Sequence, residues 1–277
     1  MIPGFDERFV DGKGCRLRYL VGGPADGDPI VLVHGLGGTA ENWVDVGPKL
    51  AETRRVLVPD LPGHGLSTAL AVVPNLAVFA DRVVLVAERE RMLPAAVVGH
   101  SLGAVVGLRM ALRRPADVTG LVLAVGAGIS STTRRAKYGL RILGIIGPRR
   151  LVAPWAGSVA DSPLLRHLVF GHWGAADPLI MSRAAVDGFL VGTRLTTDST
   201  SAARALVADD VRQELGDVRC PCLVLWGARD NQLPLADGFE FARRLRAPLR
   251  VIADCGHLLI GERPDLCVDA IESFLGR

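Results

Sequence analysis

Short apolar runs closed by Gly, Asp or His recur along this chain, with longer amphipathic stretches between them. The runs are PIVLVHG ending at Gly35, RRVLVPD at Asp60, PAAVVGH at His100, GLVLAVG at Gly126, CLVLWGARD at Asp230 and LRVIADCGH at His257. Runs of this length with little polar alternation suit strands buried on both faces. Between them the period changes. Phe79, Val83 and Val86 share one helical face opposite Asp81, Glu88 and Arg89, and Leu266, Ala270 and Phe274 repeat the pattern near the C-terminus. Strand–helix alternation of this kind predicts an α/β fold with a doubly wound, mostly parallel sheet.

The alternation lapses between about Gly128 and Ala205, where YGLRILGIIG, PWAG and FGHWGAADPLI suggest short helices joined by Gly/Pro turns. That is too long for one connection in a compact domain. The expected organisation is a core over residues 1–127, an inserted helical cap over 128–205, and the rest of the core over 206–277. A cluster of cations falls in the cap: Arg134, Arg135, Lys137, Arg141, Arg149 and Arg150, with Leu140, Ile142, Leu143, Ile145 and Ile146 between them. A solvated basic face over an apolar one accounts for it. The sharper alternative is electrostatic steering of an anionic substrate towards a pocket.

At 277 residues with 49 % hydrophobic content, the chain can bury a large core. A net charge of +3 is too small to argue for nucleic acid. Cys15, Cys220, Cys222, Cys255 and Cys267 are odd in number and lack metal-type spacing, as expected of reduced thiols. MIPGFDERFVDGKG has neither a basic n-region nor an apolar h-region, and the longest apolar candidate, Met92 to Leu108, is broken by Pro94 and GHSLG. A cytoplasmic protein without stable membrane insertion is expected; its oligomeric state is open.

Chemistry concentrates around Gly99-His100-Ser101-Leu102-Gly103, a G-x-S-x-G motif between a strand-like and a helix-like run. A sharp strand-to-helix turn there would lift Ser101 above the sheet, with glycines where the backbone closes on itself. Ala104, Gly107 and Ala111 leave room for the helix to pack, and its N-terminus aims free N–H groups at the site. By itself the motif is as compatible with a structural serine at a tight turn. Three further features favour chemistry. His34-Gly35-Leu36-Gly37-Gly38 closes an early strand with a glycine-rich loop, so the Leu36 and Leu102 N–H groups could receive an oxyanion. Asp230 follows a strand, where an open α/β sheet gathers its site residues. His257 follows the last strand run, within reach of the same sheet edge. Separately these features suit a glycine turn, an Asx turn and a core histidine. Together, His257 can take and return the serine proton while Asp230 orients it.

The order Ser101, Asp230, His257 resembles that of the α/β-hydrolase superfamily. PDLPGHGLS (Pro59 to Ser67) is similar to the family's D-x-x-G-x-G-x-S loop, and Trp43 lies beyond the His-Gly loop. The resemblance covers nearly the whole chain and is weakest in the cap. It implies an α/β-hydrolase fold, Ser101 as nucleophile, His257 as base and Asp230 as acid, supported by His34, Gly35, Gly37, Gly99, His100 and Gly103, with no metal or organic cofactor. The serine at 101 excludes family members that use an aspartate nucleophile, and Leu258 stands where carbon–carbon bond hydrolases usually carry an aromatic residue. The expected activity is that of a serine carboxylesterase on small to medium, mainly apolar esters, with an ester or thioester as small-molecule partner. The alternatives are a carbon–carbon bond hydrolase or lyase, a thioesterase or acyltransferase, and a ligand receptor that retains the triad.

Overall fold

The computed structural model describes residues 1–71, 75–130, 155–171 and 174–276. The cationic cluster from Arg134 to Arg150 and its intervening apolar residues lie outside the described residues. The strands are β1 (Asp6–Gly12), β2 (Cys15–Gly22), β3 (Pro29–Val33), β4 (Arg55–Pro59), β5 (Ala95–His100), β6 (Val118–Ala124), β7 (Cys222–Gly227) and β8 (Leu249–Ile252). They form one sheet in the order β1-β2-β4-β3-β5-β6-β7-β8. From β4 onwards neighbouring strands are parallel, whereas β1 pairs antiparallel with β2, and β2 with β4. The α/β fold and doubly wound sheet are as expected. The N-terminal hairpin was not anticipated: its first strand is half exposed and mostly polar, and carries no apolar run.

The chain leaves β3 for β4 on one side and returns to β5 on the other. This reversal of winding opens a crevice at the carboxyl ends of β3 and β5. Val33 is level with Gly99 and His100 with Ala124, so the ends of β3, β5 and β6 lie side by side.

The helices are α1 (Gly47–Leu50), α2 (Leu76–Arg89), α3 (Leu102–Arg113), α4 (Ala156–Asp161), α5 (Pro163–Arg166), α6 (Arg183–Leu195), α7 (Ser199–Ala208), α8 (Leu235–Leu245), α9 (Leu259–Glu262) and α10 (Pro264–Leu275). α2 starts at Asn75, whose side chain accepts the Val78 N–H, and buries Phe79, Val83 and Val86 as expected. α3 lies close to the sheet because Gly107 has no side chain: a Cβ there would stand 2.9 Å from Leu121 Cδ1 and 3.1 Å from Val97 Cγ1.

Two sequence expectations need correction. α10 buries Cys267, Ala270 and Ile271, while Leu266 is 48 % exposed and Phe274 only partly buried. Leu266 is the residue that leaves the core-facing stripe: Cys267 and Ile271 take part in it with Ala270, and Phe274 still packs on the sheet, where a Cβ on Gly120 of β6 would stand 3.5 Å from its ring. The run ending at His257 is strand only to Ile252, and Val251 is exposed. As the sheet's edge, β8 is covered on fewer sides than the central strands.

Candidate active site

Ser101 stands at the junction of β5 and α3 with φ 53° and ψ −113°, a conformation that costs a non-glycine residue about 1–3 kcal/mol. Its surroundings hold it there. The Ser101 N–H donates to Ala124 O at 2.9 Å, and its carbonyl accepts from the N–H of Ala104 (3.1 Å) and Ala127 (3.2 Å). A Cβ on Gly99 would lie 2.2 Å from Gly103 O, and one on Gly103 2.2 Å from Val33 O. Both glycines of the motif are thus demanded by backbone contact. β5 is buried throughout, yet Ser101 is half-buried.

Asp230 lies in the turn after β7. Its Oδ1 accepts from the N–H of Gln232 at 2.7 Å and Leu233 at 2.9 Å, and its Oδ2 faces His257 Nδ1 at 2.8 Å. The Asp230 side chain is fully buried and that of His257 is 6 % exposed. Donation from Nδ1 to the carboxylate leaves Nε2 as the imidazole's free basic nitrogen. The histidine's backbone is held at both ends: its N–H donates to Gly174 O at 2.5 Å, and its carbonyl accepts from His100 Nε2 at 2.8 Å. The His100 and His257 rings lie 5.2 Å apart. Burial and the nearby His257 push His100 down to about 3, so it stays neutral. The structure thereby brings His257 against Asp230, and against the residue preceding Ser101. Among the described residues Ser101 Oγ makes no hydrogen bond. In hydrolytic sites without substrate the serine–histidine bond is often long and tightens in the complex. Asp254, three positions before His257, is exposed and pairs with Arg229 at 2.8 Å.

The loop after β3 runs beside Ser101. A Cβ on Gly35 would stand 3.2 Å from Ser101 Cβ and 2.9 Å from His100 Nδ1. Gly37 has φ 70°, and the Gly38 N–H closes a turn onto Gly35 O at 3.1 Å. His34 is buried beneath: its Nδ1 donates to Gly35 O at 2.8 Å and its Nε2 accepts the Leu61 N–H at 3.0 Å. Burial pushes it down to about 4, which keeps it neutral. Leu102 is the first residue of α3, so its N–H has no intrahelical partner. Leu36 is half-buried in the loop beside it.

Sequence reasoning missed what supports this loop. Arg18, on β2 and 2 % exposed, donates to Glu41 Oε1 at 2.6 Å and to Asp60 Oδ2 at 3.1 Å. Asp60 also accepts the N–H groups of Ala40 (2.7 Å) and Leu66 (3.0 Å), joining the loop to PDLPGHGLS. Burial works against the charge of Glu41, but Arg18 holds its carboxyl below the usual range; burial raises Asp60 despite Arg18. Asp60 stood out within its loop; Arg18 carried no local signal. α6 presses on the loop from the other side. A Cβ on Gly188 would lie 2.4 Å from Glu41 O, and one on Gly192 2.8 Å from Gly37 O. Asn42 Nδ2 donates to Gly188 O at 3.2 Å.

With this geometry established, comparison with known proteins decides the lineage. The chain matches the alpha/beta hydrolase family over residues 30–270. It belongs to that family. A similar relative is the pimeloyl-[acyl-carrier protein] methyl ester esterase of Aromatoleum aromaticum, 32 % identical, covering 89 % of this chain and 97 % of the relative. The dihydrolipoyllysine-residue acetyltransferase component of the acetoin cleaving system of Pseudomonas putida is 29 % identical, over 95 % of this chain and 67 % of its own length. Among solved structures, a hydrolase from Pseudomonas aeruginosa superposes with a TM-score of 0.80 at 25 % identity, covering 98 % of this chain and 99 % of the other.

In this alpha/beta hydrolase, no group of three or more His, Cys, Asp or Glu side chains among the described residues could hold a metal ion. No helix among them is long and apolar enough to cross a membrane. The cysteines carry no disulfide, and Cys15, Cys222, Cys255 and Cys267 are buried.

Proposed function

We propose that this alpha/beta hydrolase is a serine esterase that cleaves carboxylic esters through an acyl-enzyme. The observation that carries the proposal is the buried Asp230–His257 pair, 2.8 Å apart, at the sheet end where the strained Ser101 stands. Ser101 Oγ attacks the ester carbonyl while His257 Nε2 takes its proton. The tetrahedral oxyanion is received by the N–H groups of Leu36 and Leu102. His257 returns the proton to the leaving alcohol, then activates water to release the acid. Asp230 stabilises the imidazolium without itself taking the proton. Residues 128–205 act as the cap that shapes a mainly apolar pocket, and α6 bears on the oxyanion loop from within it. The free cysteines suit a cytoplasmic setting.

The methyl ester esterase similarity supports an oxygen ester as substrate. Similarity to the acetyltransferase component favours a second reading, in which the same acyl-enzyme is discharged to another acceptor in place of water. A fluorophosphonate probe with an ester and thioester panel tests the proposal. Labelling at Ser101 and ester turnover lost in Ser101→Ala are expected. Turnover that persists in folded Ser101→Ala would overturn it, and formation of a new ester or thioester at the expense of free acid on adding an alcohol or thiol would favour transfer.

A further inference from the structure

Glu262 ends α9 and is 2 % exposed. Its carboxylate accepts three backbone hydrogen bonds: Gly256 N–H on Oε1 at 3.0 Å, and the N–H groups of Ala176 and Asp177 on Oε2 at 2.7 and 3.1 Å. Gly256 immediately precedes His257. Ala176 and Asp177 belong to the segment whose Gly174 carbonyl accepts the N–H of His257 at 2.5 Å and of Leu258 at 3.3 Å. The two segments also fit without slack. A Cβ on Gly256 would lie 2.2 Å from Gly174 O, and one on Gly174 3.0 Å from His257 Cβ. Burying a carboxylate is costly unless its lone pairs are satisfied, and here they are satisfied by loop N–H groups on both sides of the His257 backbone.

We propose that Glu262 is a positioning residue for His257. It bridges the loop carrying the base to residues 174–177 and so keeps the imidazole aligned with Asp230. This inference rests on His257 being the general base. Glu262 touches neither substrate nor the reacting atoms. Its effect passes through Gly256 on one side and through Gly174 on the other. Because residues 174–177 come from the stretch between β6 and β7, the same carboxylate links the base to that stretch.

Glu262→Gln keeps size and shape but offers one carbonyl and one NH2 group. Whichever way it turns, an N–H donor meets a backbone N–H. Displacing a catalytic group by about 1 Å can cost about 10²-fold in rate. For p-nitrophenyl butyrate, kcat should fall by up to about 10²-fold with KM barely changed. The acid limb of the pH–kcat profile should move to lower pH, since a misaligned Asp230 stabilises the imidazolium less. A role confined to stability predicts a lower Tm with kcat per folded molecule and the acid limb unchanged; that result would overturn the inference. Amide exchange on the wild-type protein tests it without any variant: Gly256, Ala176 and Asp177 N–H should be protected, and fast exchange at all three refutes the bridge. His257→Ala separates the two levels. If it retains full activity, the triad itself fails; if it is inactive while folded Glu262→Gln is fully active, only the positioning role fails.

Discussion

Three buried histidines should make this protein steeply acid-labile. Burial pushes His34 down to about 4, and His64 and His100 to about 3. Each is neutral when folded, and each regains an ordinary pKa of about 6.5 on unfolding. A folded pKa below the unfolded one means that the unfolded chain binds more protons. Stability is therefore complete above about pH 6.5 and is lost as pH falls towards the folded values. At pH 5.5 unfolding takes up nearly three protons, a slope of about 4 kcal/mol per pH unit. Between pH 7 and 5 the summed loss reaches at most about 6 kcal/mol, against a typical domain stability of about 5–15 kcal/mol. Asp60 and Glu262, raised by burial, take up protons first in the folded state and soften the slope at its acid end. Urea unfolding at pH 7, 6 and 5, followed by circular dichroism, measures this directly. His64→Gln should remove about a third of the slope, about 1.4 kcal/mol per pH unit. A total loss below about 2 kcal/mol between pH 7 and 5 would refute the reasoning, since it would mean that these imidazoles are charged in the native state.

Three further outcomes are expected. Asp230→Asn presents an amide N–H to His257 Nδ1, selecting the wrong tautomer; kcat should fall by about 10⁴ with the fold intact, and near-normal turnover would place the acid elsewhere. Asp254→Asn, which alters only an exposed pair with Arg229, should leave ester turnover unchanged; a large loss would make Asp254 the partner of His257. Gly192→Ala puts a methyl group 2.8 Å from Gly37 O, so the loop bearing Leu36 must shift. If the Leu36 N–H receives the oxyanion as proposed, kcat should fall towards the about 10²–10³-fold cost of a lost oxyanion donor with a small change in Tm, and an unchanged kcat would count against Leu36 as that donor.

The elbow at Ser101 was legible in the sequence because its constraint is steric and short-ranged. Where a Cβ would stand 2.2 Å from a neighbouring backbone oxygen, only glycine fits, and the requirement appears as letters two positions either side of the serine. The central strands were legible for a similar reason: burial on both faces demands unbroken apolar runs. The edges were less so. β1 is polar and half exposed, and β8 is shorter than its apolar run, because an edge strand needs neither pattern. Chain order alone placed Asp230 and His257 after their strands. Only the parallel order β5-β6-β7-β8 set those strand ends along one rim, where a carboxylate can stand 2.8 Å from an imidazole.

What the sequence by itself determined is therefore the set of elements and the residues at their carboxyl ends. Tertiary structure decided how those ends are held. Arg18 meets Glu41 and Asp60 across 23 and 42 positions, and its neighbours on β2 carry no mark of the meeting. Glu262 binds backbone N–H groups, which every non-proline residue possesses, so nothing in the letters at 176, 177 or 256 announces the bond. Local sterics select residue types and leave a pattern, whereas a buried charge selects a place that exists only once distant segments have packed.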